Sequence, residues 1–228
     1  TQYVVMPTLA FLVASLAGLP PAVALGFIIV GSAPGAMASN VIVYLAGGAM
    51  AFSIAMTTVA TFLSPLVTPT LVEVLGGRLL PIPFWNMMQT ILLVVVVPLA
   101  LGMFLHRYLG KHMTLAREVA PALAALAIII ICSYAVAANQ SRIAAVGLDI
   151  FLLVVLLNAL GYLAGWLLAK LYRFDHRHQL ALAIEIGMQN AGLGVVLELE
   201  HFKTTPETAL PGALFAVWCM LTAAGTTR

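Results

Sequence analysis

Long apolar stretches alternate along the chain with short polar, glycine or proline connections, and the length of the repeat is that of membrane-spanning helices. Apolar stretches run over about 1–17, 21–46, 49–75, 85–106, 118–138, 144–171, 178–199 and 207–224. At a rise of about 1.5 Å per residue, roughly 20 such residues cross a hydrocarbon core of about 30 Å. Leu19-Pro20-Pro21, Gly47-Gly48 and GGRLLPIPF at 76–84 supply turn and breaker chemistry between them. None of the connections is long enough to separate domains. The pattern predicts an all-α polytopic membrane protein of about eight transmembrane helices in a single transmembrane domain, 1–228.

Two spans are interrupted more heavily by glycine and polar residues than the others: the second by GSAPGAMASN at 31–40, the seventh by EIGMQNAGLG at 185–194. They lie five spans apart. Five is odd, so a repeat relating them places its two copies in opposite orientations across the membrane. Paired interrupted spans in an inverted repeat point to a transporter with its binding site near the midplane. A five-span unit predicts ten spans in the complete protein, with two preceding Thr1. The absence of an initiator Met and the short first span without a charged flank agree with that expectation.

Composition sharpens the picture. Of the 228 residues 63% are hydrophobic and 8% charged, against about 25% charged in soluble domains. A formal net charge of +2 and no basic stripe interleaved with aromatics give no reason to expect nucleic acid as a partner, and no protein partner is implied. Connections after even-numbered spans hold Arg107, Lys111, Arg117, Lys170, Arg173, Arg177 and Arg228, whereas the odd side holds Arg78, Arg142 and Lys203. The positive-inside rule then predicts an integral membrane protein with Thr1 and Arg228 on the cytoplasmic side. Cys132 and Cys219 read as small buried hydrophobes. No P-loop and no HExxH occurs, and the five histidines fall at span ends or in loops, so neither a nucleotide-driven pump nor an intramembrane hydrolase is expected.

Chemistry concentrates in the interrupted spans. Seven acids (Glu73, Glu118, Asp149, Asp175, Glu198, Glu200 and Glu207) fall at or near span ends, within reach of interfacial water, whereas Glu185 lies inside the seventh span with no Lys or Arg in that span. An intramembrane carboxylate is costly unless paired, which leaves three readings: it binds a cation, it stays protonated, or it sits at an interface. Glu185 and Gln189 are i and i+4 on one face, and a break beside them frees carbonyls suited to an alkali cation. In the other interrupted span, Ser39 and Asn40 follow Pro34 and Gly35. The third span carries Ser53, Thr57, Thr61, Ser64 and Thr68 as a stripe down one face. Its lower members read as packing groups bonded to backbone; Ser53 and Thr57 fit either packing or ligation.

GSAPGAMASNVIVYLAGGAMAFSIAMTTVATFLSPLVTP, EIGMQNAGLGVVL with His201-Phe202, and ALPGALFAVW together resemble the bile acid sodium symporter family over nearly the whole chain. The resemblance implies ten helices in two inverted five-helix repeats, with a core containing two crossed broken helices (here about 1–75 and 144–224) and a panel (in part, about 85–138). It implies a sodium-coupled symporter of an organic anion in a bacterial cell membrane, not an enzyme, with sodium ions, the small organic anion and the lipid bilayer as partners. Proton coupling and a non-transporting sensor are the alternatives. By matching position, a first sodium site resembles Ser39, Asn40, Ser53, Thr57 and Glu185. A second resembles Gln2, Glu185, Ile186, Met188 and Gln189, with Ile186 and Met188 contributing carbonyls. Asn190 stands as a polar substrate contact. Where the family commonly has Gly-Thr this chain has Ala36-Met37, and Cys219-Met220 replaces His-Asn, so the substrate side is less polar and a smaller carboxylate is as well suited as a bile acid.

Overall fold

The computed structural model describes residues 1–109 and 140–225 with a few single positions between them. The expected fifth span, 118–138, and Cys132 fall outside the continuous ranges. Among the described residues all regular structure is helical: α1 Gln2–Leu16, α2 Pro21–Ser32, α3 Ser39–Leu45, α4 Met50–Gly76, α5 Phe84–Ile91, α6 Val97–Leu109, α7 Gln140–Leu171, α8 His176–Gly187, α9 Ala191–His201 and α10 Ala209–Gly225. A π turn, Leu92–Val96, joins α5 to α6, and a 3-10 turn, Pro206–Thr208, precedes α10. Pro98 accounts for the π turn, because it lacks the N–H that an unbroken α-helix would donate to Val94.

Among the described residues, three continuous stretches are long and apolar enough to cross a membrane: Met50–Gly76, Phe84–Phe104 and Gly147–Leu171. Of the other expected spans that lie within the described residues, the first and the last are shorter and two are divided. The second becomes α2 and α3, separated by Ala33 to Ala38, and the seventh becomes α8 and α9, separated by Met188 to Asn190. Each half is 7 to 12 residues, too short to cross alone.

The helices are apolar outward, and α4 is polar inward. On α4, Val59, Leu63 and Leu66 are exposed, whereas Ser53, Thr57, Thr61, Ser64 and Thr68 are buried. That inversion suits lipid as the surrounding solvent. Two members of the lower stripe bond to backbone. Ser64 donates at 2.7 Å to the Thr61 carbonyl, which Pro65 cannot reach as a helix donor. Thr68 donates at 2.8 Å to the Ser32 carbonyl at the end of α2.

The main core lies between α1, α2, α7, α8 and α10, around Met6, Phe27, Leu157, Ile186 and Phe215. The start of α8 is fixed to the α3–α4 turn, where Gly47 adopts φ +74°. Arg177 Nε donates to the Gly47 carbonyl at 3.1 Å, and the Ala49 N–H donates to the Arg177 carbonyl at 2.9 Å. Asp175 caps α8, accepting from the His178 N–H at 2.9 Å. That backbone bond, followed by the His178 ring, holds its carboxyl below the usual range. A depressed folded value makes the cap a source of stability above the unfolded pKa, lost as pH falls through the folded one. Asp175→Ala is expected to lower the melting temperature at neutral pH and to have little effect in strong acid; pH-dependent thermal unfolding of the pair checks this.

One acid departs from expectation. Glu198, placed by the sequence within reach of interfacial water, is 1% exposed, and Glu198 Oε2 would stand 2.8 Å from a Cβ at Gly212. The missing side chain of Gly212 makes the room that lets Glu198 turn inward against α10.

Candidate cation-binding site

The breaks in the two divided helices meet. Gly35 and Gln189 form an antiparallel bridge, in which the Ala36 N–H donates to the Met188 carbonyl at 3.0 Å and the Asn190 N–H to the Pro34 carbonyl at 2.8 Å. Pro34 and Gly35 explain why this segment leaves the helix: proline disfavours the helical conformation in the residue before it, and glycine admits close approach. The crossing satisfies the main-chain groups that the breaks release, as a membrane interior requires.

Glu185, 0% exposed, lies on the last turn of α8 directly at this crossing. Its Oε2 accepts from Ser39 Oγ at 2.7 Å and from Ser53 Oγ at 2.8 Å. Its Oε1 accepts from Thr57 Oγ1 at 2.5 Å. Asn40 Oδ1 closes the group, 2.8 Å from Ser53 Oγ and 3.4 Å from Thr57 Oγ1. The structure therefore brings together Ser39, Asn40, Ser53, Thr57 and Glu185 from α3, α4 and α8. Each hydroxyl has one proton yet stands against two or three oxygens: Ser39 also touches the Ala36 carbonyl at 2.6 Å, and Thr57 the Ser53 carbonyl at 2.9 Å. Some of these oxygen pairs have no proton between them. A cation would relieve such crowding of lone pairs.

Next to it lies a second oxygen cluster. Gln2 Nε2 donates to Gln189 Oε1 at 3.3 Å, and Gln189 Nε2 to the Ile186 carbonyl at 3.0 Å. Gln2 Oε1 is buried with no hydrogen-bond partner among the described residues. A Cβ at Gly35 would lie 2.5 Å from Glu185 Oε1 and 3.2 Å from Gln2 Oε1, so the glycine leaves a cradle between the two side chains. The Met188 carbonyl, by contrast, is engaged by Ala36.

The donors at both clusters are oxygens, and one carboxylate is shared among neutral groups. Hard oxygen ligands suit alkali and alkaline-earth cations, and a single formal negative charge suits a monovalent one. No ion pair to Lys or Arg is found at Glu185 among the described residues.

Beside the breaks, Asn190, expected as a substrate contact, caps α9, its Oδ1 accepting from the Leu193 N–H at 3.1 Å, which leaves its amide nitrogen for another partner. Ala36 is buried in the crossing, Met37 and Met220 are exposed, and Cys219 is buried. Two residues of the site escape sequence reasoning: Gly35 as a cradle, and Asn158, a buried residue of α7 whose Nδ2 donates to the Gly187 carbonyl at 2.9 Å. A lone Asn amid the apolar residues of the sixth span was the available signal.

Thr57 and Thr68 separate the two roles of the stripe. Thr57→Ala is expected to raise the half-saturating sodium concentration about tenfold, the worth of one hydrogen bond to a charged group. Thr68→Ala should leave it unchanged and lower only the melting temperature. Sodium titrations of thermal stability in the two variants check this.

Helices with apolar exteriors, two of them broken and meeting at a buried acid, are consistent with a polytopic membrane protein of a transporter family. Comparison with known proteins agrees: residues 1–147 match the model of the Sodium Bile acid symporter family. The chain belongs to that family, whose members are transporters and not enzymes. It is 40% identical over 217 residues to the uncharacterized sodium-dependent transporter YocS of Bacillus subtilis, covering 95% of this chain and 67% of the relative. It is 38% identical over 216 residues to the probable sodium/metabolite cotransporter BASS1, chloroplastic, of Arabidopsis thaliana, covering 95% and 54%. To BASS2 of Oryza sativa subsp. japonica it is 32% identical over 219 residues, covering 96% and 52%. The chain spans about two thirds of the Bacillus relative and about half the length of these plant ones.

Proposed function

We propose that the protein is a sodium-coupled symporter of a small organic anion, with sodium held at Glu185 by the two oxygen clusters of the crossing. The observation that carries this reading is the buried carboxylate ringed by Ser39, Ser53, Thr57 and Asn40 with fewer hydroxyl protons than oxygen contacts. Ser39, Asn40, Ser53, Thr57 and Glu185 form the first sodium site. Gln2, Glu185, Gln189 and the carbonyls of Ile186 and Met188 form the second. Met188 reaches sodium only if its carbonyl accepts the ion alongside the Ala36 N–H, which its second lone pair permits.

The anion binds beside the crossing, where Asn190, Ala36, Met37 and Met220 lie around the breaks. Two positive ions at Glu185 supply the charge that draws a carboxylate there. The apolar Met37 and Met220 favour a compact anion with an apolar body over one recognised by many hydrogen bonds. The eight spans are part of a ten-helix inverted repeat, in which a core, about 1–75 and 144–224, moves against a panel that includes 85–138 and so opens the crossing alternately to the two sides.

The test is uptake into proteoliposomes of the complete protein, using a bile acid and a panel of small carboxylates. Inward sodium gradients should drive uptake of at least one of them, choline gradients should not, and a sodium ionophore should abolish it. Uptake that follows a proton gradient regardless of sodium would replace sodium with proton coupling. Sodium-dependent binding without counterflow would make the protein a sensor.

A further inference from the structure

The break after α8 deprives its last carbonyls of their helical donors, and each finds a different substitute. The Ile186 carbonyl accepts from the Gln189 side chain at 3.0 Å. The Met188 carbonyl accepts from the Ala36 N–H at 3.0 Å. Both of these donors belong to the broken helices themselves. The Gly187 carbonyl, between them, accepts at 2.9 Å from Asn158 Nδ2 on α7, a helix outside the crossing. A carbonyl can only accept, so the amide nitrogen of Asn158 must face it and Oδ1 is left over. Thr222 Oγ1 of α10 stands 3.1 Å from that oxygen and shares its one proton between it and the carbonyls of Cys219 and Trp218, at 3.1 and 3.3 Å.

The approach of α7 is built for this contact. A Cβ at Gly161 would lie 3.2 Å from Gly187 Cα and 3.3 Å from the Ile186 carbonyl oxygen, and one at Gly165 would lie 2.7 Å from Ala183 Cα. Only glycines let α7 sit so closely on α8. The Tyr162 ring covers Gly187 itself, 2.7 Å from where a Cβ would stand. The peptide between Gly187 and Met188 is thus held at both ends, by Asn158 at its oxygen and by the Ile184 carbonyl at its nitrogen, 2.9 Å away. Rotating that peptide would swing the carbonyls on either side of it.

We propose that Asn158 is a positioning residue which sets the Ile186 and Met188 carbonyls for sodium and, through Thr222, ties them to the face of α10 that carries Cys219. Thr222 lies one helical turn from Cys219, to whose carbonyl its hydroxyl is also within 3.1 Å. A solute that displaces this part of α10 therefore pulls on Asn158 and alters the ion site, and by linkage sodium alters the affinity for the solute. The inference rests on the sodium reading above and adds to it a physical route between the two sites.

The experiment follows the melting temperature of the complete protein in detergent while sodium chloride replaces choline chloride at constant ionic strength. Asn158→Ala is expected to raise the half-saturating sodium concentration about tenfold, and Thr222→Val about threefold, as expected for loss of one hydrogen bond and weakening of it through a neighbour. Thr222→Ser, which keeps the hydroxyl, should restore the wild-type value. If Asn158→Ala does not fold, Thr222→Val decides the matter, since it is isosteric and touches no proposed sodium ligand. Variants that melt earlier without sodium but keep the wild-type half-saturating concentration would overturn the positioning role and leave the sodium site standing. A wild-type protein that sodium does not stabilise would overturn both.

Discussion

Glu185→Ala is expected to abolish sodium-dependent stabilisation and sodium-dependent uptake while leaving protein in the membrane. Both oxygen clusters meet at this one carboxylate: Ser39, Ser53 and Thr57 point at it, and the cradle at Gly35 opens onto its Oε1. Truncating one member of a buried charge pair costs about 3–5 kcal/mol, which is at least a hundredfold in affinity. Glu185→Gln separates charge from shape. It keeps the volume and one carbonyl oxygen but no negative charge, so sodium should again fail to stabilise it. In the absence of sodium it should melt no earlier than the wild type, because an uncompensated buried charge has been removed. Sodium titrations of thermal stability, run beside uptake measurements, check both variants. A Glu185→Gln protein with undiminished sodium response would sink the assignment of the ion to this residue.

The residues that answer to sequence reasoning are those whose meaning depends on local pattern. Pro34-Gly35 and the Gly- and Asn-containing run after Glu185 marked the breaks because backbone chemistry is local, and the structure narrows them to Ala33 to Ala38 and Met188 to Asn190. The hydroxyl stripe was visible because its period is helical, but the pattern left Ser53 and Thr57 open between packing and ligation, and only the family resemblance made them ligands. What pattern could not reveal is the phase of each half-helix after its break. Glu198 was placed at a span end by counting residues, yet α9 restarts at Ala191 with its own rotation, and the space above Gly212 admits the acid to the interior. Asn158 stood in plain view, but its partner is a main-chain carbonyl that side-chain patterns do not display. Gln2 entered only through the family resemblance, because nothing near the first residue distinguishes a ligand from a polar end. Gly35 as a cradle needed coordinates, since the atoms it spares come from residues 2 and 185.

Gly35→Ala is the second large effect expected, and it tests the geometry of the site without removing any proposed ligand. The added methyl would lie 2.5 Å from Glu185 Oε1, 3.2 Å from Gln2 Oε1 and 3.3 Å from Gln2 Nε2, so one of the side chains must move. The main chain has little freedom to move instead, because the bonds from Ala36 to Met188 and from Asn190 to Pro34 hold it on either side of Gly35. Overpacking of this kind costs about 1–3 kcal/mol, and the strain falls on the two oxygens that would face the same cation. The half-saturating sodium concentration should therefore rise by about ten- to a hundredfold, with the Glu185 charge and all three hydroxyls still present. Gly102→Ala is the matched control. Gly102 lies in α6 with no atom of the described residues within 4 Å of the place a methyl would take, so alanine there should leave sodium affinity unchanged and raise helix stability by up to about 1 kcal/mol. Sodium titration and thermal unfolding of the two variants in parallel provide the measurement. Equal sodium affinity in Gly35→Ala and the wild type would mean that the space between Glu185 and Gln2 is not where the second ion sits.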